Sequence, residues 1–232
     1  MRRAFATTFA VAAAFSLVTL SAQMQMQETL RKVEGAGIHA AGWQGKSDAQ
    51  EKGAKIEDSK FDLKGSEFDI STAPGAVYWN PANTASGDYT VSATFTEPAY
   101  MSSNDHPHPY GVFIGGNKLD TDAPTLLYCA AYGNGNFILR AFPTTFAPGG
   151  GRRPAANAAV KKAAGKGQPV SQEVALAVKG DKVTCSINGA EVASVPKADL
   201  VGAGKLESLD GIAGIRVGHN VDVKVTNFKV AK

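Results

Sequence analysis

Apolar and polar side chains alternate most cleanly between Asp88 and Glu97. Tyr89, Val91, Ala93 and Phe95 fall on one face, and Thr90, Ser92, Thr94 and Thr96 on the other. A period of two with one wet face is the pattern of an antiparallel strand whose other face is buried. The same reading gives three consecutive strands from Tyr110 to Gly116, Thr125 to Tyr132 and Asn136 to Phe142. Gly133-Asn134-Gly135 supplies the tight turn between the last two. Further on, Glu173 to Val178, Lys182 to Ile187, Glu191 to Val195, Gly211 to Gly218 and Val221 to Val230 read as strands, with Asn188-Gly189 as a hairpin turn. In the last of these, Val221, Val223 and Val225 share a face, but Phe228 and Val230 have the opposite parity. That slip predicts a bulge near Asn227.

Upstream, Ser59 to Leu63 and Glu67 to Ile70 flank the break Lys64-Gly65-Ser66. Ala76 to Trp79 is a short strand stopped by Asn80-Pro81. Helical signals are confined to Gln27 to Val33 and a turn within Ala155 to Ala164. Ten or more short strands without a helical period predict an all-β protein, a two-sheet antiparallel jelly-roll sandwich. The strands after Phe142 are expected to extend the central antiparallel meander.

Strand parity also sorts the central side chains. With Val112, Ile114, Leu127, Cys129, Ala131, Phe137 and Leu139 facing the core, the opposite face carries Phe113, Tyr128, Tyr132, Ile138, Arg140 and Phe142. Thr184 and Ser186 are expected to continue that face. It is too apolar to stand fully in water, so a loop, a ligand or a partner should cover it. Tyr128, Tyr132, Arg140 and Phe113 are therefore the ligand-binding candidates, since aromatic rings with polar rims suit sugars and peptides.

A break of 30 residues, 143–172, follows the central strands. It holds Pro143, Pro148, Pro154, the run Gly149-Gly150-Gly151 and five basic residues (Arg152, Arg153, Lys161, Lys162, Lys166), with no acid. The expectation is a solvated basic flap joining two neighbouring strands of one sheet, with Phe142 and Phe146 packing back at its base. On that reading, replacing Gly149 to Lys166 by a short Gly-Ser link shifts the melting temperature by no more than about 5 °C.

The amino terminus changes the balance of charge. Arg2 and Arg3 precede an apolar run from Ala4 to Leu20 and the small pair Ser21-Ala22, which reads as a signal peptide over residues 1–22. Residues 23–41 are expected to be a tail. Residues 42–232 are expected to form a single domain, with Trp43 packing at its start. The formal net charge of +3 comes from 24 basic and 21 acidic residues. Loss of the two leader arginines leaves 22 against 21, which speaks against nucleic acid as a partner. No transmembrane segment is expected after removal of the signal, and the location implied is secreted or periplasmic. Two cysteines, Cys129 and Cys185, lie in strands expected to be separated by others. A disulfide and two buried free thiols both stay open.

Candidate chemistry is sparse. His106-Pro107-His108-Pro109, after Asn104-Asp105, offers ligand contacts or metal ligands before the first central strand. Alternating prolines favour a polyproline conformation with about three residues per turn, in which the two rings diverge. Asp120-Thr121-Asp122 pairs two carboxylates in a turn and is the candidate place for calcium. No other cofactor is expected. No Ser-His-Asp order, phosphate-binding glycine loop or zinc-spaced cysteine pair is present, and no catalytic residue is assigned.

Several runs resemble a known family. Gly111-Val112-Phe113-Ile114-Gly115-Gly116, Leu126-Leu127-Tyr128 and Gly135 to Arg140 follow the order of the concanavalin A-like lectin/glucanase superfamily. Val174 to Gly180, Val183 to Gly189 and Gly211 to Gly218 are similar to its laminin-G-like and keto-disaccharide-hydrolase-like secreted modules. The resemblance implies the sandwich fold and three classes of function. The first is a non-catalytic exported module binding carbohydrate or cell-surface material on the aromatic face. The second is a glycoside hydrolase or lyase, and the third a structural envelope or assembly module. Glucanases of this fold resemble one another at a Glu-x-Asp-x-x-Glu strand. Here Glu67-Phe68-Asp69 is followed by Ile70, Ser71 and Thr72, without the second Glu, and the pair is read as a solvated edge. The partners implied are a glycan or an envelope component, and the oligomeric state stays open.

Overall fold

The computed structural model describes residues 29–48, 53–143, 147–148 and 153–232. The leader read in residues 1–22 lies outside the described residues, as do Phe146, Arg152 and Gly149-Gly150-Gly151. The strands are β1 (Gly37–Ile38), β2 (Gln44–Ser47), β3 (Lys60–Lys64), β4 (Glu67–Ser71), β5 (Ala76–Ala85), β6 (Tyr89–Glu97), β7 (Tyr110–Asn117) and β8 (Thr125–Ala131). They continue as β9 (Asn136–Phe142), β10 (Ala155–Ala156), β11 (Val170–Lys179), β12 (Lys182–Ile187), β13 (Ala190–Pro196), β14 (Gly211–Val217) and β15 (Asp222–Ala231).

Two sheets stack as a sandwich. One has eight strands in the order β1-β3-β4-β15-β6-β11-β12-β13, the other seven in the order β10-β9-β8-β7-β14-β5-β2. Among the described residues, the pairings between these strands are antiparallel except β1 with β3. The all-β sandwich is the architecture read from the sequence, but the chain does not extend one meander. After β9 it adds the short edge strand β10 to the seven-stranded sheet, then leaves it, builds β11 to β13 in the other, returns as β14 between β7 and β5, and crosses again to β15.

That crossing overturns two expectations. The loop from 143 to 172 joins different sheets, so its ends do not belong to neighbouring strands. Thr184 and Ser186 sit on β12 in the eight-stranded sheet and do not continue the aromatic face. From residue 153 onward the loop is also tied down. Ala155–Ala156 pairs with β9 as a strand, where a helical turn was expected. Val160 is buried in the core, and the Gln172 carboxamide both accepts from the Lys161 N–H at 3.1 Å and donates to the Lys161 carbonyl at 2.7 Å. A solvated flap would show none of these, because a buried valine and satisfied backbone groups fix the chain.

The main core fills the space between the sheets. It contains Val112, Ile114, Leu127, Cys129, Ala131 and Leu139 from one sheet and Val91, Phe95, Val174, Leu176, Val183 and Cys185 from the other. Cys129 and Cys185 are bridged, with Cα atoms 5.8 Å apart. The strands are indeed remote within a sheet, but face-to-face stacking brings β8 over β12, a relation that sequence distance does not express. Trp43 closes one end against Phe61, Phe68 and Phe228, at ring distances of 5.1, 4.7 and 5.5 Å.

Smaller readings divide. The bulge near Asn227 is present as a register shift between Thr226 and Lys229, with Asn227 at φ 55°. Asn188 and Gly189, at φ 51° and 81°, make the expected hairpin turn. Asn80-Pro81, however, does not stop its strand. β5 runs on to Ala85 past an irregularity opposite Ile212 to Gly214, since a bulge accommodates the missing proline N–H. Within Gln27 to Val33, the described residues 29–33 are not helical. Arg31 instead holds this segment to the sandwich, with two 2.7 Å bonds to Asp222 and one each to the Thr72 and Val221 carbonyls. Among the described residues, no helix is long and apolar enough to cross a membrane.

Candidate functional site

The disulfide fixes which face of the seven-stranded sheet looks inward, so the opposite face looks away from the partner sheet. Register aligns Arg140, Tyr128, Phe113, Gly214 and Trp79 in one row across β9, β8, β7, β14 and β5. The next row runs Ile138, Ala130, Gly111, Arg216 and Val77. Small residues at Gly214, Gly111 and Ala130 leave room for the large ones beside them. A Cβ added to Gly214 would stand 2.5 Å from the Phe113 ring, so Phe113 lies over the place a side chain would take. The result is a second apolar cluster of Val77, Trp79, Phe113, Leu126, Tyr128 and Tyr132 among others, separate from the main core.

The aromatic face was expected to need a cover, and most of this cluster is buried. Phe113 and Leu126 are fully buried, and Tyr132 is 9% exposed. Phe113 and Tyr132 therefore support the face from below, and the expectation that Phe113 contacts ligand is not met. Tyr128 is also buried, but its edge reaches a cleft of about 390 Å³. Lys46, Asp48, Tyr128, Arg140, Phe142 and Arg216 line that cleft.

Arg216 organises the cleft. Its guanidinium is buried, pairs with Asp48 at 2.5 Å, and lies 5.7 Å from the centre of the Tyr128 ring and 5.8 Å from that of Phe142. Both distances are within cation–π range. Burial pushes the Tyr128 phenol above its ordinary pKa, against the lowering pull of Arg216 and Arg140, so it stays a neutral donor. The opening thus offers guanidinium donors, a carboxylate, a phenol and the half-buried Phe142 ring. Lys46 bonds the Thr121 carbonyl and stands 3.8 Å from Asp122. An ammonium occupies the neighbourhood where Asp120 and Asp122 were expected to gather calcium, and both aspartates are exposed. The Glu67 and Asp69 pair belongs to the other sheet. β4 lies between β3 and β15, so it is no edge, and both acids are neutralised: Glu67 by Lys224 at 3.0 Å, Asp69 by Lys64 at 2.7 Å.

His106 and His108 are not at the cleft. Their rings lie 4.3 Å apart, where the proline spacing predicted divergence. His106 sits in a bend before β7, so the segment does not keep the polyproline turn that would separate the rings. His219, just past β14, joins them with its ring 3.8 Å from that of His108. One ring nitrogen from each of the three lies within 4.8 Å of the others.

Arg216, Asp48 and His219 were missed in the sequence. Arg216 carried a signal, because parity from Gly214 puts it on the aromatic face once β14 is known to lie beside β7. Asp48 carried none: β2 reads Gln-Gly-Lys-Ser, without an apolar pattern.

No family model and no curated protein matches the sequence. Among solved structures, the chain is similar to a protein of unknown function with a galectin-like fold from Bacillus subtilis. The TM-score is 0.53 at 14% identity, covering 82% of this chain and 88% of that one. It is also similar to a carbohydrate-binding module from Bacillus subtilis, with a TM-score of 0.50 at 10% identity, covering 82% of this chain and 96% of the other. At such identities the likeness is one of fold. The chain is a two-sheet antiparallel β-sandwich similar in fold to these proteins, the architecture expected from the sequence.

Proposed function

We propose that this protein is an exported, non-catalytic carbohydrate-binding module that takes a saccharide in the cleft beside Tyr128. The observation that carries this is the cleft itself: about 390 Å³ on the outward face of the seven-stranded sheet, lined by Tyr128, Phe142, Arg140 and the Arg216–Asp48 pair. An aromatic ring offers the apolar face of a pyranose a platform, and fixed charged groups give its hydroxyls donors and acceptors. Pre-pairing of Arg216 with Asp48 holds those groups in place before ligand arrives. The solved carbohydrate-binding module of the same fold supports the reading, as do the laminin-G-like runs of the sequence. The disulfide fits an oxidising compartment, in line with a secreted or periplasmic location.

Hydrolysis is the weaker reading. A glycosidase needs one of its two carboxyls as proton donor. The carboxylates at this cleft, Asp48 and Asp122, each face a basic partner, Arg216 and Lys46. An array of microbial and plant glycans, followed by calorimetry on any hit, tests the proposal. Arg140→Ala and Phe142→Ala, each checked for an unchanged melting profile, are expected to weaken binding by about tenfold or more. Binding of no glycan by the wild type, or equal binding by both variants, overturns it.

A further inference from the structure

We propose that His106, His108 and His219 form a binding site for a first-row divalent transition ion of the zinc class. This stands apart from the cleft and does not depend on what the cleft binds. Three observations converge. The first is proximity: one ring nitrogen from each imidazole lies within 4.8 Å of the other two. Tetrahedral zinc with Zn–N bonds of about 2.0–2.1 Å sets its nitrogens about 3.3 Å apart. An ion would draw the three nitrogens together from that separation.

The second is that the backbone builds the cluster. Val217 on β14 pairs with Tyr110 on β7. Continuing the antiparallel register two residues beyond each strand sets His219 opposite His108. The Gly218 N–H donates to the Pro109 carbonyl at 2.7 Å and locks the two extensions together. A Cβ at Gly218 would come 2.9 Å from Pro109 Cδ and 3.0 Å from His108 Cβ. Only glycine lets the two histidine-bearing segments approach this closely.

The third is an outer carboxylate. Asp105 Oδ1 lies 2.5 Å from His106 Nδ1. A carboxylate there can accept a hydrogen bond from Nδ1–H and orient the ring, the arrangement that positions ligating imidazoles in metal sites. The donor set selects the class of ion. Three imidazoles suit zinc, copper, nickel or cobalt, whereas calcium and magnesium require oxygen ligands. Three protein ligands leave a fourth position open, and His106 is exposed, so that position faces water.

Tag-free protein, stripped with chelator and titrated with zinc chloride by calorimetry, tests this. One zinc per chain is expected, with saturable binding below millimolar concentration. His106→Ala and His219→Ala are each expected to lose at least tenfold in affinity, and Asp105→Asn to lose about 10- to 100-fold. The sequence has four histidines, and His39→Ala, the remaining one, should bind like the wild type. Because His106 is exposed, its removal tests the site without emptying a core. Cobalt in place of zinc should give the visible absorption of a tetrahedral nitrogen-ligated ion, absent from His219→Ala. No saturable binding at one millimolar zinc, or binding unchanged in both His106→Ala and His219→Ala, overturns the proposal.

Discussion

Cutting the Cys129–Cys185 bridge should destabilise the sandwich by about 4 kcal/mol. The two half-cystines are fully buried and separated by 56 residues in sequence. In the chain-entropy account, closing a loop of that length removes about 14 cal/mol/K from the unfolded chain, or about 4 kcal/mol at 25 °C. The bridge fixes β8 against β12, but the core around it also contains Leu127, Ala131, Leu176 and Val183. Its loss should therefore leave a folded, weaker domain. In a domain of this size, 1 kcal/mol corresponds to about 2–4 °C, so the melting temperature should fall by roughly 8–16 °C. The comparison is wild type against Cys129→Ala/Cys185→Ala in denaturant titrations, with wild type in strong reductant as a second arm. The variant should also show a larger denaturant slope, because its unfolded chain is no longer tethered. Thiol titration of the denatured wild type should find no free thiol. A variant within about 1 kcal/mol of wild type, with an unchanged slope, would refute the account.

Two further tests probe the loop and a buried acid. Val160→Ala, at a position 4% exposed in the core, should cost about 2 kcal/mol in denaturant titrations. Replacing residues 153–166 by a Gly-Ser link should lower the melting temperature by more than 5 °C, against the small change expected of a solvated flap. Burial pushes the Glu97 carboxyl above its ordinary pKa, against the lowering effect of the Met101 N–H that donates to it at 3.0 Å. A raised carboxyl stabilises the fold below the unfolded value of about 4.3 and loses that contribution as pH rises through the folded one. Glu97→Gln should therefore melt higher than wild type at pH 7, with the difference shrinking toward pH 4. An equal or lower melting temperature at pH 7 would contradict the burial argument.

The strands were legible because each carries its period locally. Val91, Ala93 and Phe95 declare a buried face without any partner strand, and the slip at Asn227 appears as a change of parity. The faces of β7, β8 and β9 were legible for the same reason, since consecutive hairpins fix which residues lie opposite. What could not be read is adjacency between strands distant in sequence. Nothing local says that β11 leaves the first sheet or that Cys129 lies over Cys185. The same blindness made Thr184 and Ser186 look like part of the aromatic face. Burial of Phe113 was hidden too, because its cover depends on the Gly214 of a strand some 100 residues later.

β14 decides where the chemistry of this molecule sits. Its residues Gly211–Val217 enter the seven-stranded sheet between β7 and β5, strands that come far earlier in the chain. On its outward face, Gly214 makes room for Phe113, and Arg216 then extends over Tyr128 toward Asp48. Just past its end, Gly218 permits the close approach that sets His219 against His108. The two sites meet through the backbone: a Cβ at Gly75 would stand 2.7 Å from an Asp48 carboxylate oxygen, 3.4 Å from the Arg216 guanidinium and 3.4 Å from the His219 amide nitrogen. An ion that fixed His219 would therefore fix the peptide beside the Arg216–Asp48 pair. Both sites thus depend on where β14 runs and ends, and on Gly75, Gly214 and Gly218, which let its neighbours approach.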